Sequence, residues 1–153
     1  IFSNFTNSMR IRPAALIIEN NHVLFLRYDY PGVSKFALPG GNVDAGETFP
    51  VTIARECEEE LGIEVEVHDL LFTGQVHATD DYSACVHLIF EGDIVGGIPL
   101  IQAGETTADD LVWVPVDKIA ELTIYPSIND AILDYVHTGK KGQYLGTIKQ
   151  VWL

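Results

Sequence analysis

Apolar residues along this chain follow two periods in turn, and the changes of period divide it into elements. "PAALIIE" (13–19) and "HVLFLRYD" (22–29) are apolar runs separated by Asn20-Asn21, which predicts two strands joined by a tight turn. "KFAL" ends at Pro39, and "PGGNVDAGE" then gathers Pro39, Gly40, Gly41 and Gly46, the composition of a loop. There the period becomes helical. Ile53, Ala54, Cys57 and Leu61 form one apolar stripe, with Thr48 suited to cap its start, Pro50 tolerated in its first turn and Gly62 suited to its end. Strict alternation returns in "IEVEV" (63–67), and "SACVHLIFEGDI" (83–94) and "LVWVPV" (111–116) read as further strands. Asp117 to Leu122 suits one or two helical turns. "SINDAILDYV" (127–136) puts Ile128, Ile132, Tyr135 and Val136 on one face of a second helix that closes near Gly139. The tail, "YLGTIKQVWL", leaves strand and coil both open. The mixture of hairpins and helices predicts an α/β domain with a mixed sheet, not a doubly wound parallel one.

The chain has 153 residues, enough for one domain with an ordinary core. Residues 1–8, "IFSNFTNS", are polar and aperiodic; they read as an upstream extension or a vestige of cloning, or as an arm packed through Phe2 and Phe5. Residues 9–153 read as the single domain. The net charge of −13 repels nucleic acid and anionic membrane, so an anionic substrate requires a cation or a local Arg or Lys to hold it. Two cysteines, Cys57 and Cys85, have neither metal-type spacing nor a disulfide framework and read as buried thiols. With no membrane-length apolar run and no signal-peptide pattern, a cytoplasmic location is the default expectation.

The charge is most concentrated in "ARECEEELG" (54–62), where four of the five positions from Glu56 to Glu60 are glutamates beside an expected helix C-terminus. Negative charge there opposes the helix dipole. At 100° per residue, Glu56, Glu59 and Glu60 fall on one face, Glu58 points away, and Arg55 stands four residues before Glu59. Such a cluster is either a solvated acidic face or a set of hard oxygen ligands for Mg²⁺, with Mn²⁺ able to take its place. The glycine-rich lead-in lets backbone carbonyls approach the same point.

Spacing favours the second reading. Gly41, five residues, Glu47, seven residues and then "RECEEELGI" (55–63) resemble the Nudix box, with Gly41, Glu47, Arg55, Glu56, Glu59, Glu60 and Gly62 at its fixed positions. With each residue type near one in fifteen of average usage, a chance match per window is on the order of one in 10⁸. Cys57 stands where the box usually has a larger apolar residue, and Phe36 where the family often has Trp.

The resemblance implies an α/β/α sandwich around a mixed sheet, from about Met9 to the C-terminal helix. It also implies Mg²⁺-dependent hydrolysis of a nucleoside diphosphate linked to a group X. By the same resemblance, Glu56, Glu59, Glu60 and the Gly41 carbonyl hold metal, Arg55 orients the glutamates and Glu47 braces the loop. Glu56, Glu59 and Arg55 are thereby the expected catalytic residues. A base to deprotonate water is expected on the helix or on the loop ahead of Trp113-Val114-Pro115, where Glu105 is the candidate and Asp109 and Asp110 are rivals. Arg27, Tyr28 and Phe36 are candidate substrate contacts, with Tyr30 a further aromatic; His77 reads as a partly buried histidine. The expected partner is a small nucleotide, a triphosphate or modified nucleotide first, and a nucleotide sugar, ADP-ribose or dinucleoside polyphosphate as alternatives. A homodimer is left open. Two other classes are weighed: a non-catalytic nucleotide sensor, disfavoured because every box glutamate is present, and a calcium module, disfavoured because no alternating Asp/Asn loop occurs.

Overall fold

In the computed structural model, which describes residues 8–149, one strand belongs to two strand sets, and the domain is organised around it. That strand, β1 (Met9–Glu19), runs parallel to β5 (Ala84–Gly96) from Met9 to Ile17, but pairs with β2 (His22–Tyr30) only at Ile18 and Glu19. On the β5 side, β4 (Glu64–Val76) pairs antiparallel with β5 and parallel with β8 (Gln143–Thr147). On the β2 side, β3 (Val33–Ala37) and β6 (Asp110–Pro115) pair antiparallel with β2, and the short β7 (Thr123–Ile124) extends β3 in parallel. The sheet is mixed, as the pattern predicts.

The Asn20-Asn21 turn forms as expected; both residues take positive φ, 49° and 61°, which matches the right-handed twist of the flanking strands. Helix α1 (Phe49–Leu61) and helix α2 (Asn129–Thr138) cover the two faces, with a 3₁₀ helix at Val116–Glu121. The stripe Ile53, Cys57 and Leu61 packs with Ala15, Ile17, Leu24 and Leu26, while Ile128 and Ile132 pack with Ala14, Leu16, Phe25 and Ile89. Burial pushes the Cys57 thiol up to about 12, so it is an inert core group, and Cys85 is buried as well. Gly62 ends α1 in the left-handed region at φ 65° and donates back into the last turn.

Three expectations change. Thr48 occupies the N-cap position but makes no side-chain cap bond; its carbonyl accepts from Thr52 N–H instead. The undecided tail resolves as β8 where it is described, because β4 offers it an open edge. The strand predicted from "IEVEV" runs on to Val76, three times bulged against β5, which is why strict alternation covers only its first half. Residues 1–7 of the expected extension lie outside the described residues. Among the described residues no helix is long and apolar enough to cross a membrane.

Because β2 leaves β1 early, the β1 edge from Pro13 to Ala15 is open, and the loop after β3 fills it. Ala15 N–H donates to the Pro39 carbonyl (2.9 Å) and Gly41 N–H to the Pro13 carbonyl (3.2 Å). A Cβ on Gly40 would overlap the Pro13 carbonyl and the Ala14 backbone, so only glycine lets the loop lie this close. Gly40→Ala should therefore cost about 1–3 kcal/mol of stability. A thermal melt unchanged from wild type would show that the loop does not require this approach.

Candidate active site

The loop seated on β1 and the helix that follows it meet at Arg55. Its Nε and Nη2 donate to the two oxygens of Glu47 at 2.8 and 2.9 Å, a bidentate pair across eight residues. Nη1 donates to Glu56 at 3.0 Å and to Glu59 at 3.3 Å, and Nη2 also reaches the Asn42 carbonyl at 3.2 Å and the Asp44 carboxylate at 3.3 Å. One guanidinium thus binds loop to helix and fixes two of the clustered carboxylates. Glu47 is the other half of the clamp. It accepts from Asp44 N–H at 2.9 Å and from the Thr52 hydroxyl at 3.0 Å, and the Arg55 bond, with these, holds its pKa down to about 2. The same contacts keep Arg55 charged well beyond its ordinary range.

Glu56, Glu59 and Glu60 share one side of α1, as their spacing predicts, in three different environments. Glu59 is exposed and turned to Arg55, Glu56 is half-buried between Arg55 and the loop, and Glu60 is only 7% exposed. A Cβ on Gly41 would overlap the Glu56 carboxylate, so the loop backbone is pressed onto that side chain. Glu60 has a pKa well above the ordinary carboxylate range: burial is the main cause, reinforced by a hydrogen bond with Glu56 and by its charge, and opposed by Thr106 and Arg12. Glu58 is exposed, as expected.

Among the described residues, no three His, Cys, Asp or Glu side chains already converge as a coordination shell: Glu56 is bonded to Glu60 and Glu59 to Arg55. The donor set nevertheless fits a hard divalent cation. It is all oxygen, it carries more negative charge than its surroundings neutralise, and the cradle at Gly41 admits backbone only.

The cleft over Glu56 and Glu60 has a volume of about 480 Å³ and is lined also by Gly41, Tyr28, Arg12 and Glu105, among others, while Glu59 lies outside its lining. Of the loop acids, Glu105 alone lines it. Asp109 accepts from Asp29 N–H at 2.7 Å, and Asp110 stands 3.6 Å from Arg27. Tyr28 also lines it, with its hydroxyl pKa raised by burial and then by Glu60.

Two expected substrate contacts, Arg27 and Phe36, do not line this cleft. Arg27 and Phe36 are cross-strand partners on the other face of β2 from Tyr28, since successive side chains alternate. Arg27 is engaged by Asp29 at 3.0 Å, and Phe36 packs edge-on against Phe25 in the α2-side core. Tyr30 lies under the Lys35 ammonium, 5.1 Å from the ring centroid, and lines none of this cleft. His77 is exposed rather than partly buried, just past the end of β4, with Nε2 2.9 Å from the Thr147 hydroxyl.

What sequence reasoning missed is Arg12, which lines the cleft from β1, and Arg10, two residues before it. The signal was present in "MRIRPAALII": two arginines two apart on a strand share a face. A larger groove, about 910 Å³, runs between α2 and β8, but it contains none of the box residues.

The family model described as the NUDIX domain matches residues 9–135. The chain is 34% identical over 79 residues to the ADP-ribose pyrophosphatase of Methanocaldococcus jannaschii, which is 52% of this chain and 47% of that protein. It is 33% identical over 120 residues to the CMP-5′-(N-acetyl-N-hydroxy-3-aminopropyl)phosphonate hydrolase of Streptomyces rubellomurinus, 74% of this chain and 56% of that protein. The chain therefore matches about half the length of these curated relatives. Among solved structures, a NUDIX hydrolase from Nitrosomonas europaea superposes with a TM-score of 0.73 at 20% identity, covering 96% of this chain and 82% of that one; this likeness shows the fold.

The environment of Glu60 yields a prediction. A carboxyl whose pKa rises on folding contributes full stability only below its ordinary value of 4.5 and loses it as pH rises. In metal-free protein, Glu60→Gln should raise Tm at pH 8 by a few degrees, about 2–4 °C for each kcal/mol relieved. Little gain is expected at pH 4, where the folded and unfolded carboxyls are both largely protonated. A gain of equal size at both pH values would assign it to packing instead.

Proposed function

The chain belongs to the NUDIX family, and we propose that it hydrolyses a pyrophosphate bond in a nucleoside diphosphate linked to X, most directly a nucleoside triphosphate or modified nucleotide. The observation that carries this reading is the glutamate cluster pressed against Gly41 and held by the Arg55–Glu47 clamp. Glu56, Glu59, Glu60 and the Gly41 carbonyl would hold a divalent cation, Mg²⁺ or Mn²⁺, which when bound supplies charge neutralisation at the phosphoryl oxygens. In this reading the chain's own groups do the remainder. Arg55 keeps Glu56 and Glu59 in place, and Arg12 meets the substrate's negative charge from the opposite wall. Glu105, exposed at the cleft rim, accepts the proton of the attacking water as its oxygen bonds to phosphorus and the bridging P–O bond breaks. The leaving phosphate takes the electron pair of that bond.

A sugar-linked diphosphate is the second reading, favoured by the similarity to an ADP-ribose pyrophosphatase. Product analysis on a panel of triphosphates, oxidised triphosphates, nucleotide sugars and dinucleotides separates the two. Inorganic pyrophosphate with a monophosphate indicates the first, and a monophosphate with a sugar phosphate the second.

Turnover should vanish in EDTA and return with Mg²⁺ or Mn²⁺; activity undiminished by chelator would exclude the metal reading. Glu59→Gln should lower kcat by about a hundredfold or more while leaving the melting curve intact. For Glu105→Gln the expected loss is also about a hundredfold, within the range of a general base. A loss below about threefold, far short of that range, would remove Glu105 from the role.

A further inference from the structure

Four arginines occur in the chain, and they fall into two pairs of opposite character. Arg27 and Arg55 are bound to carboxylates. Arg10 and Arg12 make no ion pair among the described residues, in a protein with 22 acidic and 9 basic side chains. They are two residues apart on β1 and hence on one face, with a separation of roughly 7 Å along the strand. Two like charges held side by side disfavour the folded state unless something negative lies between them.

On the β5 side their neighbours are neutral, while Arg12 also lines the carboxylate cleft and acts on the charge of Glu60 without forming an ion pair. Arg10 hydrogen-bonds the Tyr125 hydroxyl and the Cys85 thiol, and the cross-strand neighbours of Arg10 and Arg12 on β5 are Cys85 and His87. The two arginines line a second cavity of about 280 Å³ with Tyr28, Tyr82, Tyr125 and Thr107. It adjoins the carboxylate cleft, since Arg12, Tyr28 and Thr107 line both. The polar side chains it presents are guanidinium and hydroxyl groups, with no carboxylate among them, so its complement is rich in acceptors.

An independent observation lies beneath it. His87 is 3% exposed and its Nε2 has no hydrogen-bond partner. It lines an inner recess with Arg12 and Tyr125, of about 10 Å³, room for about one water. Burial, followed by the two arginine charges, lowers its pKa to about 4, so the ring is neutral near neutral pH and able to accept or donate. A buried polar atom left open beside two arginines that form no ion pair among the described residues marks a place completed by a ligand or its water.

We propose that Arg10 and Arg12, with the tyrosine-lined cavity between them and β5, form an anion subsite for a phosphate or carboxylate that the substrate carries beyond the diphosphate at the glutamates. The inference rests on the function proposed above for the adjoining cleft, and it selects among substrates: X is anionic rather than a neutral sugar. Arg12, at the junction, reaches both parts; Arg10 reads the second anion alone.

The test has two arms. In the first, metal-free full-length protein in EDTA is titrated with inorganic phosphate and followed by NMR of the arginine side chains and the His87 ring. Saturable shifts at Arg10, Arg12 and His87 are expected, and Arg10→Gln should abolish those at His87. No saturation up to about 10 mM phosphate would overturn the subsite. In the second, KM is compared between a nucleoside triphosphate and a nucleoside diphosphate linked to an uncharged sugar. Arg10→Gln should raise KM at least tenfold for the first and less than twofold for the second, with kcat little changed. An equal rise for both would show that Arg10 serves the shared diphosphate and would overturn the assignment. If neither compound is turned over, the proposed reaction fails while the phosphate titration still decides the subsite.

Discussion

The guanidinium of Arg55 is the interaction on which this site depends. The loop from Pro39 to Thr48 contributes no large apolar side chain to either core and would otherwise be tied down only by its contact with β1. The two bonds to Glu47 and those to Asn42 and Asp44 attach the far half of that loop to α1, while Glu56 and Glu59 are drawn to the same cation. An exposed ion pair is worth little; a bidentate one inside a network, with its carboxylate also satisfied by a backbone and a hydroxyl donor, restricts geometry far more strongly. Exchanging Arg55 for lysine would keep the charge and lose the fork, so loop and glutamates could no longer be held at once.

Carboxylates crowded at a helix C-terminus remain unfavourable, and the structure reduces that burden by two means. Leu100 and Gln102 donate their N–H groups to the carbonyls of Leu61 and Glu60, so the last turn of α1 is capped by the following loop. The same attachment places Gly104, Glu105 and Thr106 along the cleft. The capping of the helix end and the delivery of the candidate base are therefore one structural feature. Glu60 bears what is left: buried beside Glu56, it takes up a proton that a cation would displace.

Much of this was legible in the sequence, for definite reasons. Helical spacing separates Glu58 from Glu56, Glu59 and Glu60 because rotation per residue is nearly constant in a helix, and the loop-to-helix interval fixes which residues Arg55 can reach. The placement of Arg27 and Phe36 was not legible, because nearness in sequence to the glycine loop does not fix which face of a strand a side chain takes. On a strand, one residue's shift changes the face, and Tyr28 alone of the three points toward the glutamates. Arg10 and Arg12 were missed because the cavity they line is closed by Tyr82 and Tyr125, which come from distant parts of the chain. No local pattern announces such an assembly. Nor could spacing show the burial of Glu60, which follows from how α1 rolls on the sheet.

The two walls of the cleft are built by different parts of the fold. The carboxylate wall is a property of α1 and its loop, locked by Arg55. The arginine wall belongs to β1, β5 and the loops around Tyr82 and Tyr125, and its cavity shares Arg12, Tyr28 and Thr107 with the carboxylate cleft. In a chain of net charge −13, an anion approaching from solution meets repulsion until it reaches a cation. Under the proposed function neither wall alone suffices: the glutamates would need a divalent ion to attract phosphate, and the arginine cavity has no carboxylate with which to hold one. On that proposal, one wall carries the bond-breaking chemistry and the other chooses the molecule. Substitutions on β1 and its neighbouring loops can then change the choice while leaving the Arg55 clamp and its glutamates where they are.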